Sequence, residues 1–224
     1  MRTWQASLFI ASLMLCSAVS LPAAEVEEGF TPIFDGKTLD GWVGATNGYK
    51  VEDGNLVCDP HTGGNLYTEK EYPNFVLRFD FKLPAGANNG LGIRAPLKGN
   101  AAYVGFELQI LDNSAEVYSK LAPYQYHGSL YGLAAAKRGF QKPVGEWNSQ
   151  EVTVDGDQIK VVLNGETILD ADLAELRKNP TLDKQEHPGL NNKTGHIGFL
   201  GHGAKVEFRN LRIKELPAKE TEDK

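Results

Sequence analysis

Cysteine is scarce in this chain of 224 residues, which contains only Cys16 and Cys58. Cys16 lies in an amino-terminal segment that we expect to be removed, so the mature chain would hold a single thiol. One thiol cannot form an intramolecular disulfide, which excludes the disulfide-stabilised class of small secreted domains. Cys58 follows Leu56 and Val57, and a lone cysteine in such a run is usually a small buried apolar residue. Stability must therefore come from a hydrophobic core.

Positive charge and long apolar runs are also in short supply. Lysine and arginine number 23 against 29 aspartate and glutamate residues, so the formal net charge is −6. An acidic surface without a basic stripe repels phosphate backbones. After the amino-terminal segment, no stretch approaches the ~18 apolar residues that a transmembrane helix needs. We therefore expect neither a nucleic-acid partner nor a membrane span.

Residues 1–24 have the pattern of a cleaved secretory signal. Arg2 precedes an apolar run over residues 8–19, and small residues close the segment. The run is too short to span a membrane. We expect a secreted or periplasmic mature protein, with one domain over residues 25–216 and a charged tail over residues 217–224.

The mature chain alternates with a period of two, which predicts β-strands. Between Phe75 and Lys82, aromatic and aliphatic residues occupy one face, while Arg78, Asp80 and Lys82 occupy the other. Residues 104–110 repeat this alternation, with Glu107 and Gln109 opposite the apolar face.

Turn residues separate these segments. Asp155-Gly156 and Asn164-Gly165 predict hairpin turns, and 24 glycines and 11 prolines interrupt the chain. Two more strands are predicted at residues 196–200 and 206–213, and one short helix at residues 172–178. Many short strands with frequent turns indicate an all-β sandwich or barrel.

The polar face of the strand that ends near Leu111 carries the strongest functional signal. Glu107, Gln109 and Asp112 have the spacing E-x-Q-x-x-D, similar to the E-x-D-x-x-E strand of laminarinase-type retaining glycosidases. A β-bulge at Ile110-Leu111 would turn Asp112 onto the face of Glu107; alternatively, the strand ends at Leu111 and Asp112 begins a loop. The shorter aspartate and the neutral glutamine match double displacement poorly.

A series of short segments resembles the 3-keto-disaccharide hydrolase domain family, and together they extend over residues 29–216. They lie at residues 34–42, 51–56, 75–82, 92–94, 105–113, 128–131, 142–148, 163–165, 195–203 and 208–213. The chain departs from the family pattern at Asn88-Asn89-Gly90 and Phe199-Leu200-Gly201, which affects the expected shape of the pocket. The resemblance implies an all-β, concanavalin A-like jelly-roll β-sandwich of two antiparallel sheets.

The same resemblance implies cleavage of 3-oxo-glycosides, whose C3 hydroxyl a partner oxidoreductase has already oxidised. A ketone at C3 acidifies the C2 proton, so a base can form an enolate that expels the aglycone from C1; water addition then completes a net hydrolysis. The reaction needs a base, an electrophile for the enolate oxygen and an acid for the leaving oxygen. A divalent metal ion is one candidate electrophile. No H-x-x-x-H or C-x-x-C spacing indicates a metal site, so metal binding stays open.

Residue type and sequence context select seven candidate site residues. Glu107 and His127 are the expected catalytic residues, because they offer a carboxylate and an imidazole that can move protons. The expected substrate-binding residues are Arg94, Gln109, Asp112, Tyr131 and His202. Each histidine also has an alternative, non-functional role. His127 could be a hydrogen-bonded surface residue, and His202 could be a turn residue.

Two other functions stay open at this point. A non-catalytic carbohydrate-binding sandwich would use the same polar face without a base and would bind sugar without turnover. A laminarinase-like retaining glycosidase would cleave unoxidised glycosides through a pair of carboxylates.

Overall fold

The computed structural model describes residues 27–217, so the predicted signal segment and the tail beyond Pro217 lie outside the described residues. Within this range there are two short α-helices, α1 (Ala101–Val104) and α2 (Leu173–Leu176), and four 3₁₀ turns; no helix of the range is long and apolar enough to cross a membrane. The thirteen strands of the same range are β1 (Thr31–Pro32), β2 (Trp42–Gly44), β3 (Tyr49–Glu52), β4 (Asn55–Cys58), β5 (Gly64–Glu71), β6 (Phe75–Lys82), β7 (Asn88–Ala95), β8 (Phe106–Leu111), β9 (Trp147–Asp155), β10 (Gln158–Leu163), β11 (Glu166–Asp172), β12 (His196–Gly201) and β13 (Glu207–Glu215).

The strands form two antiparallel sheets, named here the large sheet and the small sheet. The large sheet has eight strands in the order β11-β10-β9-β6-β13-β4-β3, with β1 paired to β13. The small sheet has five strands in the order β2-β5-β12-β7-β8. The expected jelly-roll β-sandwich of two antiparallel sheets is confirmed.

The core lies between the two sheets. The apolar residues of one face of β6 are at most 1% exposed, as the alternation predicts, and they are Phe75, Leu77, Phe79 and Phe81. The ring of Phe199 on β12 stacks on that of Phe208 on β13, with ring centroids 3.8 Å apart. Burial of each such side chain stabilises the fold by about 2 to 3 kcal/mol. The hydrophobic core therefore provides the stabilisation that disulfides provide in smaller domains.

The predicted turns are found with one shift. Asn164 and Gly165 join β10 to β11 with φ angles of 51° and 91°, the left-handed pair that a type I′ turn requires. Asp155 is the last residue of β9, so Gly156 and Asp157 form the other turn, and not Asp155 and Gly156 as predicted.

The predicted helix is present as α2 and is shorter than expected. The Asp172 side chain caps it by accepting a hydrogen bond from the Ala174 amide at 2.8 Å. Leu173 at its start is fully buried, so packing fixes the first turn.

Candidate active site

A polar cleft of about 220 Å³ lies on the outer face of the small sheet, over β8 and the start of β7. Its lining includes Asn88, Glu107, Gln109 and His202 on the polar side and Tyr103 and Tyr131 on the aromatic side. Among its lining residues in the described chain, Glu107 is the only carboxylate. The cleft thus brings together four residues that the sequence predicted: Glu107, Gln109, Tyr131 and His202.

The register of β8 puts these side chains in the cleft. Phe106, Leu108 and Ile110 are completely buried in the core, so the intervening residues face the opposite side of the small sheet. The β7–β8 pairing runs from Ile93–Phe106 to Asn88–Leu111 without a register shift. The proposed bulge at residues 110–111 is therefore absent, and the strand ends at Leu111.

A glycine on β7 makes room for the Glu107 side chain. Gly90 pairs with Gln109, and a Cβ atom at position 90 would lie only 2.1 Å from Glu107 Oε1. The Glu107 carboxylate therefore rests directly on the backbone of residue 90. This close approach requires glycine, and it fixes where the carboxylate lies in the cleft.

Replacing Gly90 by Ala is expected to lower turnover by about 10- to 100-fold while leaving the melting temperature nearly unchanged. The new methyl group displaces the flexible end of Glu107 and not the backbone, so the site is disturbed and the fold is kept. Gly92→Ala is the matched control, because the atoms nearest its Cβ would belong to Leu200 and Tyr67, at 3.3 and 3.6 Å. Equal activities for the two variants would contradict the role of Gly90.

The Glu107 carboxylate is buried and underpartnered. The residue is 6% exposed, and among the described residues Oε1 has no hydrogen-bond partner. Its neighbour is His202 Nε2 at 3.6 Å, within ion-pair range but beyond an ordinary hydrogen bond. The interaction with the Glu107 carboxylate raises the pKa of His202, and partial burial of the imidazole opposes this rise. The unpartnered Oε1 of Glu107 is therefore also the oxygen that lies beside the His202 ring.

The other polar side chains of the cleft are held by hydrogen bonds. Gln109 donates to Asn88 Oδ1 at 2.9 Å, and Gln125 donates to the Tyr131 hydroxyl at 3.2 Å. The Tyr131 amide donates to the Glu107 carbonyl at 2.9 Å, along the free edge of β8. This backbone bond places Tyr131 beside Glu107.

One wall of the cleft is a helix that sequence reasoning missed. Val104 was expected in the core face of a strand, but it belongs to α1, and Tyr103 and Asn100 line the cleft. Asn100 caps α1 by accepting a hydrogen bond from the Ala102 amide at 3.1 Å. The signal for this helix was an asparagine cap before two alanines.

His127 does not face the cleft, which corrects its predicted catalytic role. It is 1% exposed, lies between the sheets, and its ring centroid is 5.0 Å from that of Phe81. The Leu111 amide donates to Nδ1 at 3.4 Å, so Nε2 carries the proton and donates to Gln150 Oε1 at 3.0 Å. Burial lowers the pKa of His127 to about 4. It is a neutral core histidine.

The free energy of unfolding is expected to fall as the pH drops from about 6.5 to about 4 because of His127. The unfolded chain binds the proton more readily than the folded chain, so this stability is present above the unfolded pKa and is lost on acidification. Urea unfolding of the wild type and of His127→Gln at about pH 7 and about pH 4.5 measures the effect. The variant should show a smaller loss, while His61→Gln, at an exposed histidine, should match the wild type. Equal losses in all three proteins would contradict the assignment.

Arg94 is also placed away from the cleft, so it cannot bind a substrate oxyanion there. It is 1% exposed, and its guanidinium donates to the carbonyl oxygens of Pro73, Gly156 and Asn192 and to the Asn74 side chain. Arg94 ties distant loops together.

Asp112 anchors a loop and does not line the cleft. It accepts hydrogen bonds from the Gly86 amide at 2.8 Å and from the Ser114 amide and hydroxyl at 2.9 and 2.6 Å. Burial alone would raise its pKa, but these hydrogen bonds lower it overall. The strand-end alternative for Asp112 is the one that the structure contains.

Metal ligands do not cluster in the described part of the chain. Over residues 27–217, no group of three or more His, Cys, Asp or Glu side chains is arranged to hold a metal ion. Among the described residues that line the cleft, Glu107 supplies the one carboxylate and His202 the one imidazole.

The fold and the cleft define a jelly-roll β-sandwich with a polar site on the outer face of its small sheet. The chain belongs to the 3-keto-alpha-glucoside-1,2-lyase-like domain family, whose model matches residues 29–214. The family resemblance read from the sequence is therefore confirmed.

Similar proteins agree with this membership. A 3-keto-disaccharide hydrolase from Bacteroides thetaiotaomicron is 29% identical over an alignment of 245 residues, which covers 88% of this chain and 84% of that protein. A crystal structure of a candidate glycosyl hydrolase from Parabacteroides distasonis is 29% identical, with a TM-score of 0.74 over 84% of this chain and 99% of that one. The carbohydrate-binding module CBM66 from Bacillus subtilis, at 14% identity and a TM-score of 0.51 over 78% of this chain and 96% of that one, shares the fold alone.

Proposed function

We propose that the protein is a glycoside-cleaving enzyme that acts on 3-oxo-glycosides in the cleft over β8. The observation that carries this proposal is the buried Glu107 carboxylate, whose Oε1 has no hydrogen-bond partner among the described residues and lies beside His202. Membership of the family and the names of the relatives support the same reaction class.

Glu107 is the proposed base. Its Oε1 has no competing hydrogen-bond donor among the described residues, so it is free to approach a proton on the substrate. The oxygen would remove the C2 proton of the sugar, which the C3 ketone acidifies. The enolate then re-forms the C3 ketone and a C1–C2 double bond forms as the C1–O bond breaks. The electron pair leaves with the aglycone oxygen, which takes a proton from solvent, and Glu107 returns the C2 proton to solvent.

His202 is the proposed electrophile for the enolate oxygen. As C2 loses its proton, the negative charge passes from the Glu107 carboxylate to the oxygen on C3. When protonated, the His202 ring 3.6 Å from that carboxylate can face either charge, because C2 and the C3 oxygen lie only two bonds apart. The pair therefore keeps opposite charges together throughout proton removal.

The two alternative functions fit the cleft less well. A retaining glycosidase needs two facing carboxylates, and Glu107 is the only one that lines the cleft in the described chain. A non-catalytic sugar-binding site could satisfy the same Glu107 oxygen with a sugar hydroxyl, and the family and the named relatives are what favour catalysis over binding alone.

The test compares a 3-oxo-glucoside with its unoxidised parent, each with and without a chelator. We expect cleavage of the 3-oxo-glucoside alone, because only the ketone acidifies C2. Cleavage of both substrates would instead support the retaining glycosidase, and saturable binding without turnover would support the binding module. Loss of cleavage in the chelator would assign part of the electrophile's role to a metal ion. In this proposal, an oxidoreductase acting on the sugar C3 hydroxyl supplies the substrate.

A further inference from the structure

His187 joins two walls of the cleft without lining it. Its Nδ1 lies 3.1 Å from the Ala102 carbonyl oxygen, and its Nε2 lies 3.1 and 3.0 Å from the two carboxylate oxygens of Asp183. The ring centroid is 4.9 Å from that of Tyr103, which faces the cleft. The side chain of His187 is fully buried.

Asp183 and His187 also pack against a second wall of the cleft, the turn that follows Tyr131. The amides of Leu182 and Asp183 donate to the Gly132 carbonyl at 2.7 and 3.3 Å, and Gly132 directly follows Tyr131. A Cβ atom at position 132 would lie 2.4 Å from Asp183 Oδ2 and 2.7 Å from His187 Nε2. Residues 182–187 therefore touch both the α1 wall and the turn after Tyr131.

Both hydrogen-bond partners of the His187 ring are acceptors. A carbonyl oxygen has no proton to donate, and Asp183 is held as a carboxylate. Although burial opposes this, hydrogen bonds from the Gln185 amide and from His187 lower the pKa of Asp183. Since the Ala102 carbonyl can only accept, Nδ1 is the donor in the bond between His187 and α1.

The α1 wall needs such external support. A helix of four residues cannot hold itself together through its own backbone hydrogen bonds. Two side chains from the same neighbouring segment bind its carbonyls: His187 contacts Ala102, and Asn192 donates to Val104 at 2.8 Å. The position of Tyr103 in the cleft depends on these ties.

We propose that His187 is a positioning residue of the active site, whose Nδ1–H bond to Ala102 fixes α1, and with it Tyr103, in the geometry that binds substrate. The kinetic part of this inference rests on the proposed function. The structural part, the tie between residue 187 and α1, does not.

A matched pair of variants separates the two bonds of the ring. His187→Asn keeps a donor near the Nδ1 position and so retains the Ala102 bond, whereas His187→Gln keeps a donor near the Nε2 position and retains the Asp183 bond. We expect His187→Gln to raise KM about tenfold with kcat changed by less than about threefold, and His187→Asn to stay near the wild type. Equal KM values for the two variants would overturn the proposal.

Hydrogen exchange of the amides of residues 101–105 gives a readout that does not need turnover. We expect exchange there to rise about tenfold or more in His187→Gln and not in His187→Asn, with the sheet amides unchanged. His196→Gln is the control, because its buried ring also contacts a carbonyl, that of Thr68 at 2.8 Å, but lies outside the cleft lining. Unchanged exchange at residues 101–105 in His187→Gln would overturn the proposal. If exchange rises in this variant as expected but the wild-type protein cleaves no 3-oxo-glucoside, the result counts against the proposed function alone.

Discussion

Glu107→Gln is expected to lower the turnover of a 3-oxo-glucoside by about 10²- to 10⁴-fold, with the fold intact. Glutamine keeps the size of the side chain and its place over Gly90, but it has no basic oxygen that can accept the C2 proton. The variant removes a buried charge but also gives up the interaction with His202, so its melting temperature should stay close to that of the wild type. Loss of activity together with unchanged stability would mark a catalytic group.

Solvent deuterium separates the role of Glu107 from that of its neighbours. If Glu107 removes the C2 proton, exchange of that proton with solvent and cleavage of the aglycone disappear together in Glu107→Gln. Exchange without cleavage would contradict the assignment and place the base elsewhere. Glu166→Gln, at an exposed glutamate on β11, is the matched control and should retain full activity. Recovery of the variant's activity with excess divalent metal would instead favour a metal-ligand role.

The strand that carries Glu107 could be predicted from the sequence because its alternation has a physical cause. A half-buried strand must turn every second side chain to the core, so apolar residues at 106, 108 and 110 place Glu107 and Gln109 on the other face. The same rule predicted β6. The alternation does not show where a strand ends and its turn begins. The turn between β9 and β10 therefore lies at Gly156 and Asp157, one residue later than predicted.

The roles of Arg94 and His127 could not be predicted because they depend on contacts far along the chain. Arg94 binds the Asn192 carbonyl, 98 residues away, and His127 binds Gln150, 23 residues away on the facing sheet. A charged or polar residue near a glycine has the same local sequence whether it points into a cleft or into the core. Only the packing of the two sheets distinguishes these cases.

The cleft wall was missed for a different reason. Val104 continues the apolar alternation of β8, so the period-two pattern extends into a segment that is in fact helical. Four residues are too few to show a helical period, and the asparagine cap at 100 is a weak signal by itself. The family resemblance predicted the β-sandwich correctly, but it did not predict which side chains form this wall of the cleft.

His202→Ala is expected to lower kcat by about 10²-fold, because it removes a charged donor from the developing enolate oxygen. His202→Gln keeps a neutral donor near the Nε2 position and should lose less, about tenfold. His61→Ala, at an exposed histidine, is the control and should behave as the wild type. If His202→Ala turned over at the wild-type rate, the imidazole would have no part in the reaction.

The pH dependence of this effect follows from the Glu107–His202 pair. Glu107 raises the pKa of His202, so the imidazolium persists above the usual pKa of about 6.5 and is lost as the pH rises through the raised value. The wild-type kcat should therefore fall on the alkaline side, and His202→Gln, which has no imidazole to lose its proton, should not show this fall. Nuclear magnetic resonance titration of the His202 ring tests the coupling without turnover. Glu107→Gln removes the charge responsible for the rise, so it should move the pKa of His202 back towards its ordinary value; an unmoved titration would contradict the pairing on which the proposed chemistry depends.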